Sequence, residues 1–524
     1  DTFSGGDGSD TASIITNTAG TYAPTSSSVE TIILNNIAAG AVNLDTTNLA
    51  GVTKFTALTP SAQALNFNNI ANTSADLEVS GMTLAATVTF DYLNSAVTGA
   101  SDSANLTIRN STTGTAVVDN AIETLSVTSS GTANTLTALT NSANTLNIAG
   151  TADLTLGGTN TTAETFSSTS TGAVTLTSNN ANAVTYTGGS GVDTLTLTGG
   201  VVLTDTVNLG DGNDSVTYTA ALDDADVANG GNGTDTVTGI SADLLALTTA
   251  NNLSNFETVR VSDALGGNIT LATIQAGIDT LRLDTATGAA RVATFEAGSK
   301  TVDLRAQLGG QLTVNDTGTA TNDTLTIQNN DAAADATNGA ALVVGGFETV
   351  NLVTSSANTG AATAQTVGAV TITADTGGST ALNISGSNAL TTAVVTAGTI
   401  DASGLTGNAT LTMGNAAVGG TTITGGLNAD TLLAAATGST LNGGAGADTL
   451  TGGAGVDTIN GGTGNDTIAT GGGNDTVDGG AGNDGITGGA GNETLTGGTG
   501  NDTITAAAGN DTISAGDGND TVNM

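Results

Sequence analysis

"GGAGADTLTGGAGVDTINGGTGNDTIATGGGNDTVDGG", residues Gly443–Gly480, decides the fold. Its period is nine. A Gly-rich turn of six residues closes on an acid, and a three-residue strand with one central apolar residue follows. From Gly425 to Asn523 the chain divides without a gap into eleven such units, starting at 425, 434, 443, 452, 461, 470, 479, 488, 497, 506 and 515. Position six is acidic in ten of them: Asp430, Asp448, Asp457, Asp466, Asp475, Asp484, Glu493, Asp502, Asp511 and Asp520, with Ser439 the exception. Position eight is apolar in all eleven, from Leu432 to Val522.

One turn and one short strand do not close a coil; two of each do. The expected coil is therefore 18 residues, with turns on both edges and each strand paired to the strand one coil away. Turns n and n+2 then stack about 4.8 Å apart, the strand spacing. This predicts two columns of side chains: Asp430, Asp448, Asp466, Asp484, Asp502 and Asp520 on one edge, and Ser439, Asp457, Asp475, Glu493 and Asp511 on the other. The second is the weaker, with a serine, a longer acid and an "AAAGND" turn at 506. Stacked carboxylates repel by roughly 3–4 kcal/mol per pair at an effective dielectric of about 20. A cation between the rungs reverses that sign. Carboxylates plus the carbonyls exposed by glycine turns suit the six to eight hard oxygens that Ca²⁺ prefers. Several Ca²⁺ ions are expected, with binding coupled to folding.

Isolated copies occur earlier. "GGDGSD" (5–10) ends on Asp10, with no stacked partner apparent. "GGSGVDTL" (188–195), "GDGNDSV" (210–216) and "GGNGTDTV" (230–237) place Asp193, Asp214 and Asp235 at intervals of 21 residues, which fits stacked coils with a longer return half. Between these lie short alternating runs such as "LTIRN" (106–110), "TLSVTSSG" (124–131), "AVTLTSNN" (173–180), "ALNISGS" (381–387) and "ATLTMGN" (409–415), which read as strands. A weaker repeat, apolar-acid-Thr-apolar-x-apolar, recurs at 29–34, 122–127, 256–261, 278–283 and 347–352. No segment of 12 residues or more carries a 3.6-residue apolar period; "ISADLLALTTA" (240–250) is the one candidate for a short helix. The expected fold is an all-β parallel β-solenoid (β-helix) with Ca²⁺-binding β-roll segments. Its expected divisions are a Thr/Asn/Ala-rich solenoid over 1–185, a short roll segment over 186–240, a solenoid over 241–424 and the roll of eleven nonapeptides over 425–524.

Composition narrows the function. The 524 residues include 75 Gly, 2 Pro and no Cys, Trp or His, and the formal net charge is -40. All seven bases (Lys54, Arg109, Arg260, Arg282, Arg291, Lys300, Arg305) precede residue 306. Nucleic acid and anionic membrane are poor partners for such a surface, and metal cations are good ones. No stretch of about 20 apolar residues spans a membrane. Without histidine there is no HExxH zinc site and no Ser-His-Asp triad. There is no G-x-S-x-G, and no Trp to form a sugar platform. No enzyme is expected.

The nonapeptides are identified as those of the RTX (repeats-in-toxin) family, whose members form Ca²⁺-bound parallel β-rolls on proteins exported by type I secretion. "VTYTGGSGVDTLTLTGG", "NLGDGNDSVTYTAA", "ANGGNGTDTV" and "NFETVRVSDALGG", in that order over 184–267, resemble the Caulobacter-type RTX surface-layer (S-layer) proteins, as does "TIDASGLTGNATLTM" (399–413). That resemblance implies an extracellular structural subunit on a bacterial cell surface that assembles with copies of itself into a planar lattice. Relatives of that type carry a helical lipopolysaccharide-binding part and a C-terminal secretion signal. Neither is found in Asp1–Met524, so attachment to cell-surface glycan or lipopolysaccharide is expected through a part not in this chain. The alternative is a Ca²⁺-rigidified RTX adhesin or ice-binding stalk, for which Thr-x-Thr runs such as "TLTLTGG" (194–200) would form a flat ladder.

Overall fold

The computed structural model describes residues 2–58, 62–119, 121–160, 163–199, 204–220, 222–248, 251–320, 322–330, 339–354, 365–373, 379–392, 395–406, 411–413 and 420–524. The strands are short and the spaces between them are filled by turns, as Thr- and Val-rich runs broken by glycine dictate. The chain forms two compact units, Asp1–Glu257 and Thr258–Met524, and each is an all-β parallel β-solenoid.

In the first unit one wall is a 12-stranded sheet running from Thr11–Thr16 to Asn252–Ser254. The facing wall begins as a 6-stranded sheet, Gly20–Tyr22 to Ala138–Thr140, and continues with strands such as Val174–Ser178, Thr194–Leu197 and Ser215–Tyr218. Pairings are parallel and one coil apart, for example Thr194↔Ser215 and Ser215↔Thr236. Inward positions are apolar and fill the narrow interior. Phe67 stacks on Phe90 with centroids 5.2 Å apart, and Phe55 meets Phe67 edge-on at 5.6 Å.

In the second unit the nonapeptide coil is 18 residues. Thr449 pairs with Thr467 and Thr467 with Gly485 on one wall; Thr458 pairs with Thr476 and Thr476 with Thr494 on the other. The apolar residue at position eight lines the interior: Leu441, Leu450, Ile459, Ile468, Val477, Ile486, Leu495 and Ile504 are all buried, joined by Ala434, Ala435 and Ala506, whereas Ile513 is half-buried and Val522 exposed. A one-residue slip would turn that file of side chains to solvent, so the register is strongly specified.

The helix expected within 240–250 is Ser241–Ala246, with residues 249–250 outside the described set. A further single turn, Leu271–Ile274, had no periodic signal because four residues are too few to show one. Of the strand expected at 409–415, Leu411–Met413 is described. Among the described residues, no helix is long and apolar enough to cross a membrane.

Candidate metal centre

On one edge of the nonapeptide tract each turn is tied to the next coil through an acid. Asp448 N–H donates to Asp466 Oδ1, Asp466 N–H to Asp484 Oδ1 and Asp484 N–H to Asp502 Oδ1, all at 2.8 Å. Asp430 N–H reaches Asp448 Oδ1 at 2.8 Å and Asp502 N–H reaches Asp520 Oδ1 at 2.9 Å, so the six-member column expected from spacing is continuous. The other oxygen is left over. Oδ2 of Asp448, Asp466, Asp484 and Asp502 is buried without a hydrogen-bond partner. An unpartnered buried carboxylate oxygen is costly, so these columns call for a positive partner.

Glycine holds the space for one. A Cβ on Gly461 would lie 2.4 Å from the Gly479 carbonyl oxygen and 2.5 Å from Asp466 Oδ2. The same pair, a carbonyl one coil on and the turn's own acid, flanks Gly425, Gly443, Gly479 and Gly497. The following glycine, Gly462, has φ +104°, which side-chain-bearing residues rarely adopt. Among the described residues no three acidic side chains converge on one point, so a cation here draws its remaining oxygens from the backbone. Hard carboxylate and carbonyl oxygens, with no nitrogen or sulfur, fit Ca²⁺ rather than zinc or copper.

The second edge is interrupted. Ser439 N–H donates to Asp457 Oδ1 at 2.6 Å, Asp457 N–H to Asp475 Oδ1 at 2.8 Å and Glu493 N–H to Asp511 Oδ1 at 3.0 Å. Both carboxylate oxygens of Glu493 are buried without a hydrogen-bond partner. Beside Gly488 the nearest atoms are the Ala506 carbonyl and Thr505 oxygen, with no carboxylate among them.

Burial and repulsion show in the acidities. Burial, then the charges of Asp466 and Asp430, pushes Asp448 up to about 7. Burial, then Asp511 and Asp475, pushes Glu493 up to about 7. Burial raises Asp466, Asp475 and Asp484 as well. A cation between rungs would favour the ionised form of each.

The first unit repeats the device. Asp193 N–H donates to Asp214 Oδ1 and Asp214 N–H to Asp235 Oδ1, both at 2.7 Å, so the acids spaced by 21 residues are stacked. Oδ2 of Asp214 and Asp235 is buried and unpartnered; Oδ2 of Asp193 accepts the Tyr186 hydroxyl at 2.9 Å. Burial first, then Asp193 and Asp235 among the nearby charges, lifts Asp214 to about 7.

Asp10 was expected to stand alone. It does not: its N–H donates to Glu30 Oε2 at 2.7 Å, and a Cβ on Gly5 would lie 1.7 Å from the Ser28 carbonyl oxygen and 2.5 Å from Asp10 Oδ2. Glu30 belongs to the weaker apolar-acid-Thr repeat, whose role spacing did not reveal. Its other members behave alike. Asp102 N–H donates to Glu123 Oε2 at 2.8 Å, Asp235 N–H to Glu257 Oε2 at 2.7 Å and Asp323 N–H to Glu348 Oε2 at 3.0 Å. That repeat therefore marks further carboxylate rungs, with glutamate reaching across coils of 20 to 25 residues. Its fifth member, Asp279, meets a cation of the chain itself. Buried Lys300 donates from Nζ to Asp279 Oδ1 at 2.8 Å and to the Ile278 carbonyl at 3.0 Å. Asp205 and Asp226 form one more rung that motif reading missed, with Asp205 N–H on Asp226 Oδ1 at 2.8 Å.

A parallel β-roll whose edges carry stacked carboxylates over glycine cradles is a hard-cation protein. The RTX calcium-binding nonapeptide repeat family matches the chain four times, at residues 424–459, 436–468, 451–486 and 487–522. This tract is thus an array of RTX nonapeptides, and such repeats bind calcium. No curated protein matches the chain.

Proposed function

We propose that the chain is a structural, non-enzymatic subunit of a bacterial surface layer. It is exported through a type I secretion channel unfolded, where calcium is scarce, because metal binding and folding are coupled. Outside the cell, calcium enters the edge columns, the solenoid folds, and copies assemble into a planar lattice. In this reading calcium binds at the tract acids (Asp430 to Asp520) and at the turns of Asp10, Asp214 and Asp235. The lattice is held to surface glycan or lipopolysaccharide by a part outside this chain.

The observation that carries the reading is the column of buried, unpartnered carboxylate oxygens in a tract that contains no base. RTX proteins are typically secreted, which agrees with it. So does the resemblance of residues 184–267 and of the overall composition to RTX surface-layer proteins. Electron microscopy of the recalcified protein tests it: ordered sheets are expected at millimolar calcium and dispersed chains in chelator.

A second reading, a calcium-rigidified adhesin or ice-binding stalk, draws on one feature. Thr440, Thr458, Thr476, Thr494 and Thr512 stand in register along one wall, four of the five exposed. Monomers at millimolar calcium, together with ice-growth inhibition, would favour that reading over the lattice.

A further inference from the structure

The three stacked turns of the first unit share a backbone frame but differ at one register position. Tyr186, in the strand Thr185–Thr187, pairs with Val207 one coil on, and Val207 pairs with Ala228 in the next. All three side chains are buried, each in the strand that leads into its turn. Tyr186 alone carries a donor. Its hydroxyl reaches Asp193 Oδ2 at 2.9 Å, and Gly189 N–H reaches the same oxygen at 3.3 Å. Where valine and alanine stand instead, Oδ2 of Asp214 and Asp235 has no partner. The frame is otherwise retained: a Cβ on Gly188 would lie 1.8 Å from the Leu209 carbonyl oxygen and 2.8 Å from Asp193 Oδ2, against 2.0 Å from Asn255 O and 2.7 Å from Asp235 Oδ2 for Gly230.

We infer that Tyr186 is a specificity-determining residue that closes the Asp193 turn to calcium, so that the stacked trio takes up cations at Asp214 and Asp235 while Asp193 serves as a hydrogen-bonded cap. The even 21-residue spacing of the three acids gives no sign of this difference. The physical reason is competition for one oxygen. A phenol proton directed at Oδ2 satisfies the carboxylate, and a cation must displace it. The displaced hydroxyl, 1% exposed with its residue, would then be left without a partner. A hydrogen bond to a charged acceptor sets that competition at about 10- to 100-fold in the binding constant. The inference rests on the reading that the edge columns bind calcium.

Hydrogen exchange of the full chain, with and without calcium, reads the three turns separately. In the wild-type protein, turns 209–214 and 230–235 should exchange more slowly when calcium is added, and turn 188–193 should not respond. Tyr186→Phe keeps the ring and removes the donor. It should strengthen calcium binding at turn 188–193 by about 10- to 100-fold and so bring out a response there that the wild type lacks. Tyr186→Val, which copies the next coil, should do the same, and calcium-free exchange of the neighbouring strands reports whether either variant keeps its fold. If turn 188–193 already responds in the wild type and Tyr186→Phe weakens that response, the hydroxyl is a ligand and the inference is overturned. A turn that stays silent in a folded Tyr186→Phe chain beside two responsive turns overturns it as well. Silence at all three turns and throughout 425–524 removes the calcium reading and the inference together.

Discussion

Asp466→Asn should move the stability of the nonapeptide tract in opposite directions with and without calcium. The substitution is isosteric. The amide keeps an oxygen for the Asp448 N–H, which now donates to Asp466 Oδ1 at 2.8 Å. It removes the charge that contributes to raising Asp448 on one side and Asp484 on the other. At a rung spacing of about 4.8 Å and an effective dielectric of about 20, each of those repulsions is roughly 3–4 kcal/mol before screening. Salt and partial solvent access reduce the sum of the two to about 1–3 kcal/mol. In chelator the variant should therefore fold more readily, seen as a lower concentration of a stabilising osmolyte at the folding midpoint by circular dichroism. In calcium it lacks a charged ligand shared by two rungs, and the calcium midpoint should rise about tenfold or more. Asp466→Ala is the control. It removes the acceptor too, leaves the Asp448 N–H unpaired and should cost about 1–3 kcal/mol under both conditions. A shift of the same sign for Asp466→Asn in both conditions, or an unchanged calcium midpoint, would refute the electrostatic account of the column.

Three further outcomes are expected. Glu493→Asp shortens the acid whose oxygens now lack hydrogen-bond partners, so the second edge should bind calcium more tightly, measured as a lower midpoint for protease resistance. Gly461→Ala should cost that turn its calcium response and destabilise the tract, since its Cβ meets oxygens at 2.4 and 2.5 Å; Gly472→Ala, whose Cβ has nothing nearer than 3.8 Å, should be tolerated in the same thermal melts. The third concerns pH. Acids such as Asp448 and Asp214, raised to about 7 in the folded state, bind protons there that the unfolded chain releases near its ordinary pKa. The calcium-free fold therefore gains stability as pH falls through 7 toward 5 and loses it as pH rises. Calcium competes with those protons, so its midpoint should climb over the same interval, followed by circular dichroism in chelator and in calcium.

The 18-residue coil was legible because everything that sets it is local. A six-residue glycine turn leaves three residues for the strand, as in Thr467–Ala469, although on the other wall pairing runs on into the turn, as in Thr458–Thr463; one apolar residue per unit leaves one way to face the interior. From that follow the pairing of Thr458 with Thr476, the burial of Ile459 and Val477, and the split into a continuous and an interrupted edge. The odd member of the second edge, Glu493, stands out in the sequence as the one long acid of the tract, and in the structure both its carboxylate oxygens lack a hydrogen-bond partner.

Outside the tract the coil length varies, and there the sequence stops short. Glu30 stands 20 residues beyond Asp10 and Glu348 stands 25 beyond Asp323, yet each receives the same N–H. No fixed period links such pairs; they meet because parallel pairing brings the ends of successive strands together whatever the length of the loop between them. For the same reason nothing in "VTYTGGSGVD" announces that the Tyr186 hydroxyl takes the second oxygen of Asp193, or that Lys300 supplies a positive charge beside Asp279. Period and composition set which residue types line the edges and how often. Which carboxylates are left without a partner depends on the side chain one coil away, and coil-to-coil register is a property of the folded stack.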